Sequence, residues 1–453
     1  MMRRFGWCNA CQRKKPKKNV SAPSSIEKDA VVFITAYDIH KFEHHYLRFK
    51  RKSKIKDLFS QFHIAGISHS DMYVTPYAKC RYTVEYDSLN QVSAFHFDKS
   101  FAQYDKANKN FTDEMMATLH LRHSAKALLD ETLIKLNTCF CMDRFLVIIA
   151  DKVYQVDPMA FIMSGTLMVC FELIDFKTGV PLEATSIFGR ANNFGILPIT
   201  KLRYFDEPEF KADNRKISDV IFENVYGFLT RASGNKWEIG NYSYVHNTIV
   251  ISNSINQISD YFQRVLGGKI EDFSVDNLSA TDAFKYYSTE YLGVVTDIVS
   301  NEDRPRIMND CIMLECFKVF VLLKMILDYE IHQKIDEIVD HQIYARSQLH
   351  PLHVPIVTLN LIDNLKKTYS FIRYEKAIEF KMEALRIYQE RKNNKNGRLL
   401  NILLYILAML GSAQTLQVLK TEFGLPFNIS FWFTMAIFVV FGVVWLIREN
   451  KRG

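Results

Sequence analysis

Two apolar runs close the chain. From Leu399 to Leu419, and again from Phe423 to Ile447, no charged residue occurs. Each run supplies the ~20 residues with which a helix crosses a ~30 Å hydrocarbon layer. Lys420, Thr421 and Glu422, followed by Gly424 and Pro426, predict a tight turn between them. Upstream, from residue 30 to 257, short β-rich runs mix with helical ones. VVFITAYDI (31–39), CRYTVEYD (80–87), VSAFHFD (92–98), FLVIIA (145–150), TLMVCFELID (166–175) and YVHNTIVIS (244–252) predict strands. Asp113–Lys135 and Arg215–Thr230 predict helices, the second behind a cap at Asp213 or Asn214.

Beyond residue 258 the pattern reads as helical. Arg306–Leu349 holds the run IMLECFKVFVLLKMIL, but Glu315, Lys318 and Lys324 interrupt it, which predicts a packed helix and not a membrane span. Ile356–Asn396 carries apolar residues at Ile362, Leu365, Tyr369, Ile372, Ile378, Met382 and Leu385, the spacing of one buried stripe on a long helix. With only Gly397 as a weak breaker, a continuous Ile356–Leu419 helix would hold 64 residues and reach ~95 Å. The expected fold is an α/β (α+β) cytoplasmic domain followed by a long helical stalk and a C-terminal two-helix transmembrane hairpin. Its expected parts are a basic tail (1–29), a ligand-sensing domain (30–257), a helical hairpin and stalk (258–398) and the membrane hairpin (399–453).

Composition narrows the class. The chain has 453 residues, 57 Lys and Arg against 50 Asp and Glu, and a formal charge of +7. A hydrophobic share of 48% excludes a disordered or fibrous protein, and a mean hydropathy of −0.08 excludes a polytopic transporter. Arg391, Lys392, Lys395 and Arg398 precede the first run, and Arg448, Lys451 and Arg452 follow the second. By the positive-inside rule both termini are expected in the cytoplasm and the protein in the inner membrane, with Trp432 and Trp445 at its interfaces. Residues 1–20 lack the apolar core of a signal peptide. Their basic residues predict a solvated arm or a contact with anionic lipid. Eight cysteines fit a reducing compartment, and Cys8-x-x-Cys11 is half of a zinc-knuckle spacing with no second half nearby.

Candidate chemistry lies in three places. In the first apolar run, Asn401, Tyr405, Ala408, Ser412 and Thr415 recur at spacings of 4, 3, 4 and 3 and share one helix face. Such residues either pack helices together or line water; as a pore lining they would suit a partly hydrated cation. Glu422 would add an acidic ring at the mouth or pair with Lys420. Two segments have the makings of a phosphate site, which needs backbone donors and cations. One is SIFGRANNFG (186–195), with Arg190, Asn192 and Asn193. The other is DNRKISD (213–219), where Arg215 and Lys216 open a helix and Asp219 could accept from an adenine amino group or a ribose hydroxyl. Each could equally be ordinary local structure. No Walker motif, GxSxG or complete metal quartet occurs, HKFEHHY (40–46) lacks the spacing of a zinc hydrolase, and His332 with Asp336 reads as a solvated helix face. Neither catalytic residues nor a resident cofactor or metal are expected.

The order of these parts resembles the CorA family of divalent-cation channels, and in particular the diverged CorA-like effectors of type III CRISPR systems. The likeness covers the whole chain in architecture and the last third in residues; the family's Gly-Met-Asn signature is absent, the region reading QTLQVLKTEFGLPFN. The resemblance implies a homo-oligomeric channel, a pentamer, whose first spans line the pore. For the CRISPR-associated branch it implies gating by a nucleotide messenger, an adduct of S-adenosylmethionine and AMP, in antiviral defence. A membrane-tethered, non-conducting scaffold or sensor is the other expectation. Lipid, a second copy and the messenger are the expected partners, and no direct nucleic-acid contact is expected.

Overall fold

The computed structural model describes residues 30–39, 52–69, 71–76, 79–86, 92–97, 136–149, 151–179, 199–233, 244–252, 277–300, 303–330, 334–336, 338–340 and 354–423, and the single positions 119, 122, 128, 129, 426, 428, 431, 432, 435 and 436. The chain divides into two units, Met1–Ile378 and Glu379–Gly453.

Among the described residues fourteen strands of the first unit join in one mixed sheet. They are β1 (Ala30–Asp38), β2 (Ile64–His69), β3 (Met72–Val74), β4 (Lys79–Tyr86), β5 (Val92–Phe97), β6 (Leu136–Met142), β7 (Phe145–Ile149), β8 (Lys152–Met163), β9 (Thr166–Asp175), β10 (Lys201–Tyr204), β11 (Lys211–Ala212), β12 (Tyr244–Ile251), β13 (Lys285–Ser288) and β14 (Leu292–Thr296). The order is β13-β14-β12-β1-β9-β8-β6-β2-β3-β4-β5, with β7, β10 and β11 branching from β8. All pairings are antiparallel except that of β12 with β14.

The six expected strands form within a residue or so of their predicted bounds. β8 escapes sequence reading because Pro158 lies inside it, and proline lacks the N–H that a central ladder uses. Pro158 sits between Val156, opposite Phe145 of β7, and Met159, opposite Cys141 of β6, where the strand changes neighbour. β8 turns into β9 through Ser164 and Gly165, both at positive φ (44° and 75°), which matches the right-handed twist of the strands they join.

Helix α1 (Lys52–Gln61) and helix α2 (Ile217–Ser233) lie on one face of the sheet; helix α3 (Arg304–Glu330) lies on the other, against β1, β12 and β14. Alternation along β1 assigns the faces. Tyr37 stacks on Phe222 of α2, with ring centroids 4.3 Å apart, whereas Asp38 meets Lys324 of α3 at 3.4 Å. On the α2 face Phe33, Phe171, Phe59 and Phe228 anchor a continuous apolar core.

Helix α3 is buried nearly all round, charges included. Glu315 and Lys318 are 0% and 1% exposed and form an ion pair at 2.5 Å. Glu315 also accepts from the Tyr286 hydroxyl at 2.6 Å and from the Asn247 amide. Lys318 donates to Ser288 Oγ at 3.0 Å and to the Thr289 carbonyl at 2.6 Å. Burial pulls the Lys318 ammonium below its usual range against the opposing pull of Glu315, and burial raises the Tyr286 phenol. Gly293 of β14 makes room for this group: a Cβ there would stand 2.5 Å from the Glu315 carboxyl carbon.

Helix α4 (Ile356–Lys367) ends where Thr368 turns extended (ψ 147°). Thr368 Oγ1 then accepts from the Phe371 amide at 3.4 Å and caps helix α5 (Tyr369–Phe423). The expected continuous helix from Ile356 is therefore two helices. The second has 55 residues, or ~82 Å at 1.5 Å per residue.

Two expectations need correction. The stretch from 258 is not helical throughout, since β13 and β14 extend the sheet and α3 covers it. A transmembrane hairpin is not found either: among the described residues no helix is long and apolar enough to cross a membrane. Leu399–Leu419 is not a segment of its own but the second part of α5, whose first part exposes charges such as Arg373, Lys376, Glu379, Glu383 and Glu390. Lys420–Glu422, expected as a turn, continues the same helix to Phe423. The two-span fold, the inner-membrane location and the transmembrane part of the expected ion channel are corrected accordingly.

Lys318→Met is expected to lower stability by about 3–5 kcal/mol, because it strands the Glu315 charge in the core. Glu315→Gln with Lys318→Met should recover most of that loss, and urea unfolding followed by circular dichroism measures both. Gly293→Ala should cost about 1–3 kcal/mol by overpacking against Glu315.

Candidate ligand-binding site

One of the predicted phosphate segments lies in the described structure, and it opens α2. Ile199 donates its amide to the Arg215 carbonyl at 3.2 Å, tying the approach to the helix to the β10 side of the sheet. The Lys216 carbonyl accepts from the Asp219 and Val220 amides, both at 3.1 Å, and so begins the helix. Lysine at this position offers no oxygen to cap the first-turn amides, unlike the usual Ser, Thr, Asp or Asn.

Arg215 turns away from a ligand role. Its guanidinium pairs with Asp213 at 2.5 Å and with Glu223 of α2, and the Asp213 carboxylate also accepts the Arg215 amide at 2.8 Å. These partners hold the guanidinium above its ordinary pKa, and Arg215 in turn keeps Asp213 below the usual carboxylate range despite partial burial. Arg215 therefore positions the entry to α2.

Lys216 and Asp219 meet the sheet. The Asp219 carboxylate accepts from the Tyr37 hydroxyl of β1 at 2.8 Å. Two residues back on β1, Thr35 is hydrogen-bonded to His246 Nδ1 of β12 at 2.7 Å, its partner in the strand register. Lys216, Asp219 and His246 are all half-buried, so the group opens to solvent on one side. Burial pushes His246 down to about 4; Lys216 adds to that push and Asp219 opposes it. Ser218, in the same first turn, is fully buried, and its hydroxyl has no hydrogen-bond partner among the described residues; the same holds for Thr248 of β12. Positive helix end, lysine, carboxylate and uncommitted hydroxyls together can hold an anion that also carries a donor group.

A second polar group lies farther along α2. His63 (φ 52°) stacks flat on Tyr204 with centroids 3.3 Å apart, and Asn224 of α2 donates to the Tyr204 hydroxyl at 2.7 Å. Burial lowers His63, while Asp206 and Glu207 pull it up. Burial raises Tyr204 to about 12. Sequence reading did not reach this group, because His63, Tyr204 and Asn224 come from three separate segments. Among the described residues no cluster of three or more His, Cys, Asp or Glu side chains could hold a metal ion.

The other predicted residues are placed as follows. Asn401, Tyr405, Ala408, Ser412 and Thr415 lie in α5, Glu422 is exposed in its last turn, and Asp336 is exposed. Arg190, Asn192, Asn193, Cys8, Cys11, His332 and the 40–46 motif lie outside the described residues. The sheet, and no sequence spacing, brings Thr35, Tyr37 and His246 to Lys216 and Asp219. The faint sequence signal was a polar Thr, Tyr and His on one face of two otherwise apolar strands.

No protein-family model matches the chain, and neither a curated protein nor a solved structure matches it.

His246 titrates far below the ~6.5 of an unfolded histidine, so the folded state resists its protonation. Its contribution to stability is present above pH ~6.5 and is lost as the pH falls toward 4. His246→Gln should remove this part of the acid-side slope, measured as urea midpoints between pH 7 and 4.

Proposed function

We propose that the sheet-bearing unit is a non-catalytic sensor that binds an adenine nucleotide where the first turn of α2 meets β1 and β12. The observation that carries this reading is the Asp219 carboxylate, held by the Tyr37 hydroxyl at 2.8 Å beside Lys216 at the head of a 17-residue helix. Lys216 and the helix end offer positive potential to a phosphate. Asp219 offers an acceptor to an amino group or ribose hydroxyl while Tyr37 fixes its direction. An adduct of S-adenosylmethionine and AMP, which the CorA resemblance implied, has both kinds of group.

Isothermal titration of the full chain with AMP, ATP, S-adenosylmethionine and that adduct tests the proposal. At least one should bind, and Lys216→Ala and Asp219→Asn should each weaken it about tenfold, a loss of ~1.4 kcal/mol. Heat from none of the four would overturn the reading.

Helix α5 favours a second reading, an interaction scaffold that assembles with copies of itself. Phe380 and Tyr388 are 78% and 65% exposed, and Leu400, Leu403 and Leu404 are exposed as well; apolar residues gathered in the open on one element mark association surfaces. Light scattering should find an oligomer that Phe380→Glu with Tyr388→Glu dissociates. A monomer at every concentration would count against self-association.

A further inference from the structure

Beside the first turn of α2 stands a histidine of β12 that the sensing proposal does not use. His246 stands on β12 with its Nδ1 2.7 Å from Thr35 Oγ1. Among the described residues, the charged groups acting on its ring are Lys216 and Asp219 of α2, and from β1 its neighbours are Thr35 and the Tyr37 phenol that binds Asp219. Two further groups point to a guest here. The Ser218 hydroxyl lies in the turn itself, and Thr248 follows His246 on the same face of β12 by strand alternation. Both are 0% exposed, and neither hydroxyl has a partner among the described residues. Buried hydroxyls left without a partner in a native fold call for a polar occupant.

Resting on the sensing proposal, we infer that an anion bound at the first turn of α2 draws a proton onto His246, so that binding at this site takes up hydrogen ions. The physical reason is a reversal of the local field. Among the described residues Lys216 is the cation acting on the ring, and it works with burial to keep the imidazole neutral. An anion seated against Lys216 cancels that positive charge and adds a negative one within reach of the ring. The imidazolium then becomes a favourable partner, and it supplies a second donor to the anion. Asp219 stays engaged with Tyr37 and favours the same protonated form. Linkage requires the converse: acidification must tighten anion binding.

Inorganic sulfate is the probe, because it stays doubly charged across the range and its own titration cannot imitate the effect. Saturating sulfate should raise the His246 midpoint, followed through its ring Cε1–H signal by NMR, by about one and a half units. Sulfate should then bind about fourfold more tightly at pH 5 than at pH 7 by the linkage relation. His246→Gln should lose that dependence on pH. A midpoint that sulfate does not move, or an equal pH dependence in His246→Gln, would overturn the inference. If nucleotides bind and sulfate does not, the inference fails while the sensing proposal stands. If neither binds, both fail.

Discussion

A charge on a helix that is buried nearly all round needs partners inside the core, and on α3 the most deeply buried carboxylate, Glu315, gathers three. They are the Lys318 ammonium, the Tyr286 hydroxyl and the Asn247 amide. Those partners come from α3 itself, from β13 and from β12, so one group links the helix to both ends of the edge it covers. Lys318 extends the link to the turn after β13. There Asn364 of α4 donates to the Ser288 carbonyl at 2.6 Å. A buried ion pair offers little net stability over apolar residues of equal volume, but it tolerates few alternative placements. Its effect here is to set the position of α3 and α4 against the sheet.

With α3 set on one face, the other face is free to take α1 and α2, and the candidate site follows from how α2 begins. Apolar packing of Phe222, Val225 and Phe228 holds the body of the helix to the sheet. Its first turn overhangs polar positions on β1 and β12 instead of apolar ones. The two faces of the same strands thus divide the labour. Asn247 on one side completes the Glu315 cluster, while His246 on the other pairs with Thr35 and feels Lys216 and Asp219 of α2. Period-two alternation makes both roles possible in two consecutive residues.

The site was half legible before the fold was known. Lys216 and Asp219 stood out because they open an evident helix, and a helix start is a local feature. Arg215 stood out for the same reason, yet its charge is taken by Asp213 and Glu223. Glu223 lies eight residues on, and no spacing rule ties it to the arginine. Thr35, Tyr37 and His246 were invisible as site residues, since two strands more than 200 residues apart had to pair before they met. The strands themselves were legible where β-branched and aromatic residues run together, as in β1, β9 and β12. Pro158 hid β8, and β13 and β14 were too short to stand out from a helical stretch.

Sequence by itself determined the local elements: which runs of residues favour strand or helix, where α2 starts, and that α3 carries charges unsuited to lipid. It also suggested two membrane spans, because the residues from Leu399 to Leu419 are free of charge, and charge is a property that a window of sequence can read. Tertiary structure decided what windows cannot contain. Pairing of β12 beside β1 created the ground for a ligand, burial turned Glu315 and Lys318 into one neutral cluster, and Thr368 split one expected helix into two. Each of these depends on groups distant in sequence sharing one low-dielectric space, and that proximity exists only once the chain has folded.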